Sequence, residues 1–116
     1  MNDVIGINSN QALEMSKAMN KLLAEYQLYY QNLRIFHWNV KGPNFFRLHE
    51  YFEQLYNEAK VNIDDIAERI LTLGEKPVGH WSSYLDIADI KEAKADLNDV
   101  GMVSEVLDNH RIIIEN

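Results

Sequence analysis

The chain has 116 residues, with 11 Lys and Arg against 18 Asp and Glu, no cysteine and 47% hydrophobic residues. This length and composition predict a single folded domain over residues 1–116, not a disordered tail. The absence of cysteine excludes disulfides, thiol catalysis and cysteine-ligated zinc. A formal net charge of −7 disfavours extended binding to nucleic-acid phosphates and favours partners that are cations. With no secretory leader and no apolar run that could span a bilayer, the sequence predicts a cytoplasmic protein.

Two long amphipathic helices are predicted in the first two thirds of the chain. Apolar residues recur every three or four positions over about residues 10–38 and again over about 43–73. The candidate N-caps of the first helix are Asn8, Ser9 and Asn10. Pro43 suits position N1 of the second helix, and Gly74 suits the C′ position after its end. Two long helices joined by a tight turn predict an antiparallel αα-hairpin.

The rest of the chain predicts a long crossover followed by a third long helix. The crossover carries one short helix, about 82–88, with Ser82 or Ser83 as its cap, and the last helix covers about 99–116. This order of elements is that of a ferritin-like four-helix bundle. The predicted fold class is therefore all-α, a ferritin-like four-helix bundle with a short helix in the crossover and the fourth helix absent. Because such a remnant leaves apolar faces bare, we expect the domain to be incomplete at its C-terminus.

Five side chains form a candidate metal site. Four of them share one stripe, about 100° wide, on the second helix: His49, Glu53, Asp64 and Glu68. His37, at the end of the first helix, can reach the same place across the tight turn. Carboxylates at i,i+4 are also typical of a plain solvated helix face. Imidazole and carboxylate ligands together suit Fe(II), Mn(II) or Zn(II).

Spacing along the second helix keeps these ligands apart within one chain. Glu53 and Asp64 are about 16 Å apart along the axis, too far to share a metal ion. An antiparallel second copy across a two-fold axis would bring the C-terminal ligands of one chain opposite the N-terminal ligands of the other, which predicts two identical sites per dimer. No glutamate precedes a histidine by three residues, and this disfavours a di-iron centre inside one bundle.

The turn and the second helix resemble the signature of the Dps family of mini-ferritins. The matching stretches are His37-Trp38-Asn39-Val40-Lys41-Gly42-Pro43-Asn44-Phe45-Phe46, Leu48-His49-Glu50, Phe52-Glu53-Gln54-Leu55-Tyr56, Asp64, Ala67-Glu68-Arg69-Ile70, Leu73-Gly74 and Pro77. The resemblance runs from about Ala12 over nearly the whole chain. It implies a homo-oligomeric hollow shell of twelve subunits that oxidises Fe(II), preferably with hydrogen peroxide, at dimer-interface sites and stores the ferric product.

The resemblance also implies a role for each candidate residue. The iron ligands it implies are His37, His49, Glu53, Asp64 and Glu68. It puts Trp38 near the iron, where the indole could quench radicals, although a large amphipathic residue at an interface explains Trp38 equally well. The function that follows is a ferroxidase and iron store that protects the cell from oxidative stress, with iron oxidised from Fe(II) to Fe(III).

Two other functions stay open. Family members that bind DNA strongly use a Lys-rich N-terminal tail, which would make a nucleoid-compacting protein. Residues 1–16 hold no Lys or Arg, so DNA binding is predicted to be weak or absent. A helical scaffold with an inactive metal site is the other possibility, and only activity separates it from a ferroxidase. His80 and His110 lie off the ligand stripe, and surface or packing roles are predicted for both.

Overall fold

A computed structural model describes residues 8–116, and within this range every regular element is a helix. The helices are α1 (Ser9–Asn39), α2 (Phe45–Thr72), α3 (Trp81–Ile87) and α4 (Asp99–Glu115). These bounds differ from the predicted ones by at most two residues. The prediction of an all-α architecture with a short helix in the crossover is confirmed.

Asparagine side chains start two of the long helices. Asn8 is the N-cap of α1, where its side chain accepts a hydrogen bond from the Gln11 backbone N–H at 2.9 Å. The Gln11 side chain accepts one in return from the Asn8 backbone N–H at 3.2 Å, which completes a capping box. Asn98 caps α4 in the same way by accepting from the Gly101 backbone N–H at 2.8 Å. Two backbone donors that α1 and α4 would otherwise leave unpaired are therefore satisfied.

The end of α2 confirms the prediction for Gly74. Its φ of 82° lies in the left-handed region, which glycine enters without a Cβ penalty. The Gly74 N–H donates to the Leu71 carbonyl at 2.9 Å, and the Glu75 N–H donates to the Ile70 carbonyl at 3.2 Å. This pair of bonds is a Schellman motif, which ends the helix and turns the chain into the crossover.

The start of α2 differs from the prediction that Pro43 is its first residue. The helix begins at Phe45, with Asn44 as its N-cap. The Phe45 N–H donates to the Gly42 carbonyl at 3.1 Å, so a separate turn closes over Pro43 and Asn44 before the helix begins. Gly42 has φ 99°, in the left-handed region, and this conformation directs the chain into the turn that precedes Phe45.

The short helix α3 also starts differently. It begins at Trp81 with His80 as N-cap, and no side chain caps it. The prediction of Ser82 or Ser83 as its cap is therefore wrong. The Ser83 N–H, which an N-cap side chain would usually bind, is already paired because it donates to the His80 carbonyl at 3.0 Å, as does the Tyr84 N–H.

Helix α1 is the centre of the packing, since α2, α3 and α4 all rest against it. Its apolar face is completely buried at Leu28, Leu33 and Phe36. The largest fully buried partners from the other segments are Phe52, Ile70, Ile90 and Met102. Burial of this apolar surface is the main stabilising term of the fold, and it fixes the end of α1 against the start of α2.

A buried carboxylate holds the crossover against α1. Glu25 is fully buried, and its two oxygens accept from the Asp89 N–H at 3.0 and 3.1 Å and from the Ile90 N–H at 2.9 Å. The Lys21 ammonium lies 3.6 Å from Glu25 and 3.0 Å from the Asp89 carboxylate. These contacts satisfy two backbone donors where the chain leaves α3, and they compensate the cost of burying the charge.

Asn32 is a second buried polar side chain of α1 that holds the crossover by hydrogen bonds. Its side chain is buried, accepts from the Ala93 N–H at 2.9 Å and donates to the Lys91 carbonyl, also at 2.9 Å. It donates a further bond to the Asn109 side chain of α4 at 3.1 Å. One side chain thereby ties the crossover and α4 to α1.

Candidate metal centre

Two of the candidate ligands meet where α1 ends and α2 begins. The imidazole rings of His37 and His49 stack with centroids 3.6 Å apart and planes inclined by 16°. His37 is buried, whereas His49 is partly exposed. Nδ1 of His37 lies 2.6 Å from the His49 carbonyl oxygen, and Nδ1 of His49 lies 2.7 Å from the His37 carbonyl oxygen. The two residues therefore hold each other by a reciprocal pair of hydrogen bonds.

These bonds determine which ring nitrogen of each histidine can bind a metal. A carbonyl oxygen only accepts, so Nδ1 carries the proton in both rings. In the neutral imidazole, Nε2 then has the free lone pair. Histidine ligands commonly donate their second N–H to a carbonyl in this way, which fixes the tautomer and the ring orientation. His37 and His49 thus present Nε2 in the form that a divalent metal requires.

Glu53 lies one helical turn after His49, beside the same rings. Its carboxylate oxygen Oε1 is 3.9 Å from Nε2 of His37, and half of its side chain is exposed. The carboxylate and the imidazole can therefore face one ion together. Tyr56 packs edge-on against His37, with centroids 5.3 Å apart. Burial raises the pKa of the Tyr56 hydroxyl, and the negative charge of Glu53 raises it further.

The remaining two candidate ligands lie elsewhere on α2. Asp64 and Glu68 are exposed and are three to four turns further along the helix than Glu53. Within residues 8–116 no three side chains of the histidine, aspartate and glutamate type come close enough to share a metal ion. One chain therefore pairs His37 with His49 and places Glu53 beside His37, without completing a three-ligand site.

Trp38 is 60% exposed, next to the histidine pair along the chain. The Arg34 guanidinium lies between two rings, 5.2 Å from the Trp38 centroid and 4.8 Å from that of Tyr30. These cation–π contacts hold the indole in one position at the surface. The prediction that Trp38 serves an interface or quenches radicals is compatible with this position and stays a prediction.

The two other histidines lie away from this centre. His80 is exposed at the start of α3. Nε2 of His110 and the Tyr29 hydroxyl form a hydrogen bond at 2.6 Å, and the rings pack edge-on. Burial raises the pKa of that hydroxyl well above its usual value. A surface role for His80 and a packing role for His110 agree with these contacts.

Sequence reasoning did not find two aromatic neighbours of the site. Phe45 stacks on His49 with centroids 4.9 Å apart, and Tyr56 covers the edge of His37. Both lie on α2 at helical spacing from His49, four residues before it and seven residues after it. Their helical spacing from His49 was the available signal that these two rings contact the imidazoles.

The comparisons with known proteins agree with this architecture. The family model described as a ferritin-like domain matches residues 16–116. The protein called DNA protection during starvation protein in Porphyromonas gingivalis is 41% identical over 112 residues, which are 97% of this chain and 70% of that protein. A protein of Haemophilus influenzae is 49% identical over 88 residues, which are 76% of this chain. The chain spans only 55% of that relative's length.

Comparison with solved structures also matches the chain to ferritin-like proteins. The crystal structure of a Dps protein from Vibrio cholerae, described as a member of a broad superfamily of ferritin-like diiron-carboxylate proteins, matches with a TM-score of 0.93. It is 39% identical, and the match covers 96% of this chain and 70% of that one. The chain therefore belongs to the ferritin-like proteins, and within them to the Dps family. No helix in residues 8–116 is long and apolar enough to cross a membrane.

Proposed function

We propose that this protein is a mini-ferritin that oxidises Fe(II) with hydrogen peroxide and stores the ferric product, and so protects the cytoplasm from oxidative stress. The observation that carries the proposal is the reciprocal histidine pair. His37 and His49 each donate Nδ1–H to the other's carbonyl, and both Nε2 atoms are left to bind a metal. Glu53 adds a carboxylate 3.9 Å from one of these nitrogens. This donor set suits Fe(II) as a substrate.

The other half of the site comes from a second copy of the chain. Asp64 and Glu68 lie on the same side of α2 as His49 and Glu53, but too far along the helix to reach the same ion. An antiparallel α2 across a two-fold axis supplies them to the partner's histidines, and each dimer then has two sites. The incomplete ligand set of one chain supports this arrangement. We propose a homo-oligomer of twelve subunits built from such dimers, which native mass spectrometry can measure.

The ligands also determine how the reaction proceeds. Carboxylates stabilise the additional positive charge as Fe(II) becomes Fe(III). Hydrogen peroxide takes one electron from each of two Fe(II) ions and two protons, and leaves as two water molecules without releasing a hydroxyl radical. Exposed Trp38 beside the site is positioned to quench radicals that escape this route.

Isosteric replacement of the distal ligands tests the proposal. Asp64→Asn combined with Glu68→Gln removes both charges and keeps the size of the side chains, which are exposed, so we expect an intact fold. Fe(II) oxidation by peroxide under anaerobic conditions, followed by stopped-flow absorbance of the ferric product, should slow at least about 100-fold, as expected when ligands that stabilise developing charge are lost. The matched control is Asp65→Asn with Glu58→Gln, on other sides of α2, and it should keep the normal rate. An unchanged rate in the double ligand variant would contradict the site.

DNA binding is expected to be weak. Residues 1–16 hold no Lys or Arg, although the first seven residues of this segment lie outside the described range. The net charge of −7 opposes contacts with phosphates. A gel shift with plasmid DNA at about 0.15 M salt, where screening is already strong, checks this. Tight binding under that condition would favour a nucleoid-compacting protein instead.

A further inference from the structure

Four aromatic rings form a continuous series through the candidate metal centre. Phe45 lies nearly parallel to His49, with centroids 4.9 Å apart and planes inclined by 19°. His49 in turn stacks on His37 at 3.6 Å, and Tyr56 closes the series edge-on to His37 at 5.3 Å. Two nearly parallel rings cannot share one face of an imidazole. Phe45 and His37 therefore lie on opposite faces of the His49 ring.

Local structure explains why Phe45 meets His49. Phe45 is the first residue of α2 and precedes His49 by four residues, so the two side chains lie on one face of the helix. Helical side chains lean toward the N-terminus, which brings the His49 ring over the preceding turn and onto Phe45. The turn at Gly42 sets the position of Phe45, whose N–H donates to the Gly42 carbonyl. The Phe45 ring also packs against the main core, so it offers His49 a fixed surface.

The two histidines differ in how firmly the rest of the protein holds them. His37 is buried, with 7% of its surface exposed, so the core encloses its ring. His49 is partly exposed, and its ring is held by the hydrogen bond from Nδ1 to the His37 carbonyl and by the two stacking contacts. Side chains that reach water change rotamer quickly unless packing prevents it. The parallel ring of Phe45 opposes this motion, because tilting the imidazole would reduce their contact.

We propose that Phe45 is a positioning residue of the metal centre, which holds His49 against His37 and so keeps Nε2 of His49 directed at the ion. This inference rests on the proposed function, in which Fe(II) binds His49. A metal ligand needs a fixed ring orientation with a free lone pair on Nε2. An aromatic pair changes the population of the stacked arrangement by about two- to tenfold. Without Phe45, the affinity of the site for a metal ion falls by the same factor.

Nuclear magnetic resonance of the metal-free protein tests the position of the ring. At about pH 8, where ordinary imidazoles are neutral, long-range proton–nitrogen spectra of isotopically labelled histidine distinguish a ring nitrogen with a proton from one without. The His49 signals, assigned by their loss in His49→Gln, should show a protonated Nδ1 and a bare Nε2 in the natural chain. In Phe45→Leu the two nitrogen signals of His49 should move toward their average, because the Nδ1 bond is then made only part of the time. The signals of buried His37 should not move.

Phe46→Leu is the matched control, since it makes the same change one residue along the helix. The Phe46 side chain is 83% exposed, and its ring packs edge-on against Phe45. This variant should leave the His49 signals unchanged, and Phe45→Tyr, which keeps a ring, should preserve them. Phe45 is only partly buried, so we expect Phe45→Leu to fold; Phe45→Met, with an unbranched apolar side chain, repeats the test. His49 signals in Phe45→Leu and Phe45→Met that match those of the natural chain would overturn the proposal.

Titration with Zn(II) connects the ring position to metal binding without a redox step, because Zn(II) accepts the same imidazole and carboxylate ligands. Calorimetry should give Phe45→Leu a dissociation constant about two- to tenfold larger than that of the natural chain, and Phe46→Leu the natural value. Equal Zn(II) affinity in Phe45→Leu and the natural chain would contradict the positioning role. If the natural chain does not oxidise Fe(II), the proposed function fails, whereas the spectra of the metal-free protein still decide whether Phe45 holds His49.

Discussion

Replacing Glu25 should lower the free energy of unfolding, because its buried carboxylate pairs backbone N–H groups of the crossover. Its carboxylate accepts three hydrogen bonds from the backbone N–H groups of Asp89 and Ile90. Glu25→Leu puts an apolar side chain in the space and leaves both donors without this acceptor; the Ile90 N–H is buried, whereas Asp89 is exposed and its N–H can bond to water instead. A buried unpaired donor costs about 1–3 kcal/mol, so the variant should lose about that much. Glu25→Gln keeps one acceptor oxygen and should lose about half as much.

Urea unfolding followed by circular dichroism measures this loss as a lower midpoint at unchanged slope. The matched control is Glu14→Gln, an exposed position on the same helix, and its midpoint should not move. Amide hydrogen exchange provides a local readout, because the Asp89 and Ile90 amides should exchange much faster in both Glu25 variants. A Glu25→Leu protein that unfolds at the natural midpoint would refute the view that this carboxylate holds the crossover.

Two further predictions concern stability. Gly74→Ala should lower the free energy of unfolding by about 1 kcal/mol in a urea titration, because the φ of 82° is strained for any residue with a Cβ; an unchanged midpoint would contradict the Schellman ending of α2. The natural protein should lose stability as the pH rises above 10, the ordinary pKa of tyrosine. Burial raises the pKa of Tyr29 in the folded state above 10, so the unfolded chain loses this proton at a lower pH than the folded chain does. Tyr29→Phe should flatten this alkaline decline in urea midpoints measured between about pH 8 and 11; a decline as steep as that of the natural chain would contradict it.

The long helices were predictable because their signals are local. The apolar repeat, the asparagine caps and Gly74 each act within a few residues, and the structure has α1, α2 and α4 close to the predicted bounds. The starts of α2 and α3 were predicted wrongly for a similar reason. Pro43 is acceptable both in a turn and at position N1, and the extra turn that precedes Phe45 depends on the positive φ of Gly42, which the sequence pattern did not reveal.

The sequence predicted that His37 and His49 lie close together, but it did not predict the geometry of the pair. Helical spacing identified one face of α2, and the tight turn after α1 was predicted to bring His37 to the same place. The reciprocal bonds between His37 and His49 depend on how the two helices pack, which periodicity does not define. Buried Glu25 and Asn32 gave no signal either, because a polar residue on a helix reads as solvent-facing until the segment that covers it is known.

The stacked histidines also bear on the order in which the chain folds. Only twelve residues separate His37 from His49, whereas 65 separate Glu25 from Ile90. Closing a short loop costs less entropy than closing a long one, so contacts within the α1–α2 hairpin form first. We therefore expect the imidazole pair to be in place while the crossover and α4 are still unfolded. A nascent chain that has completed α2 already has its first candidate metal ligands in place, and hydrogen exchange during refolding should show the hairpin protected before residues 89 and 90.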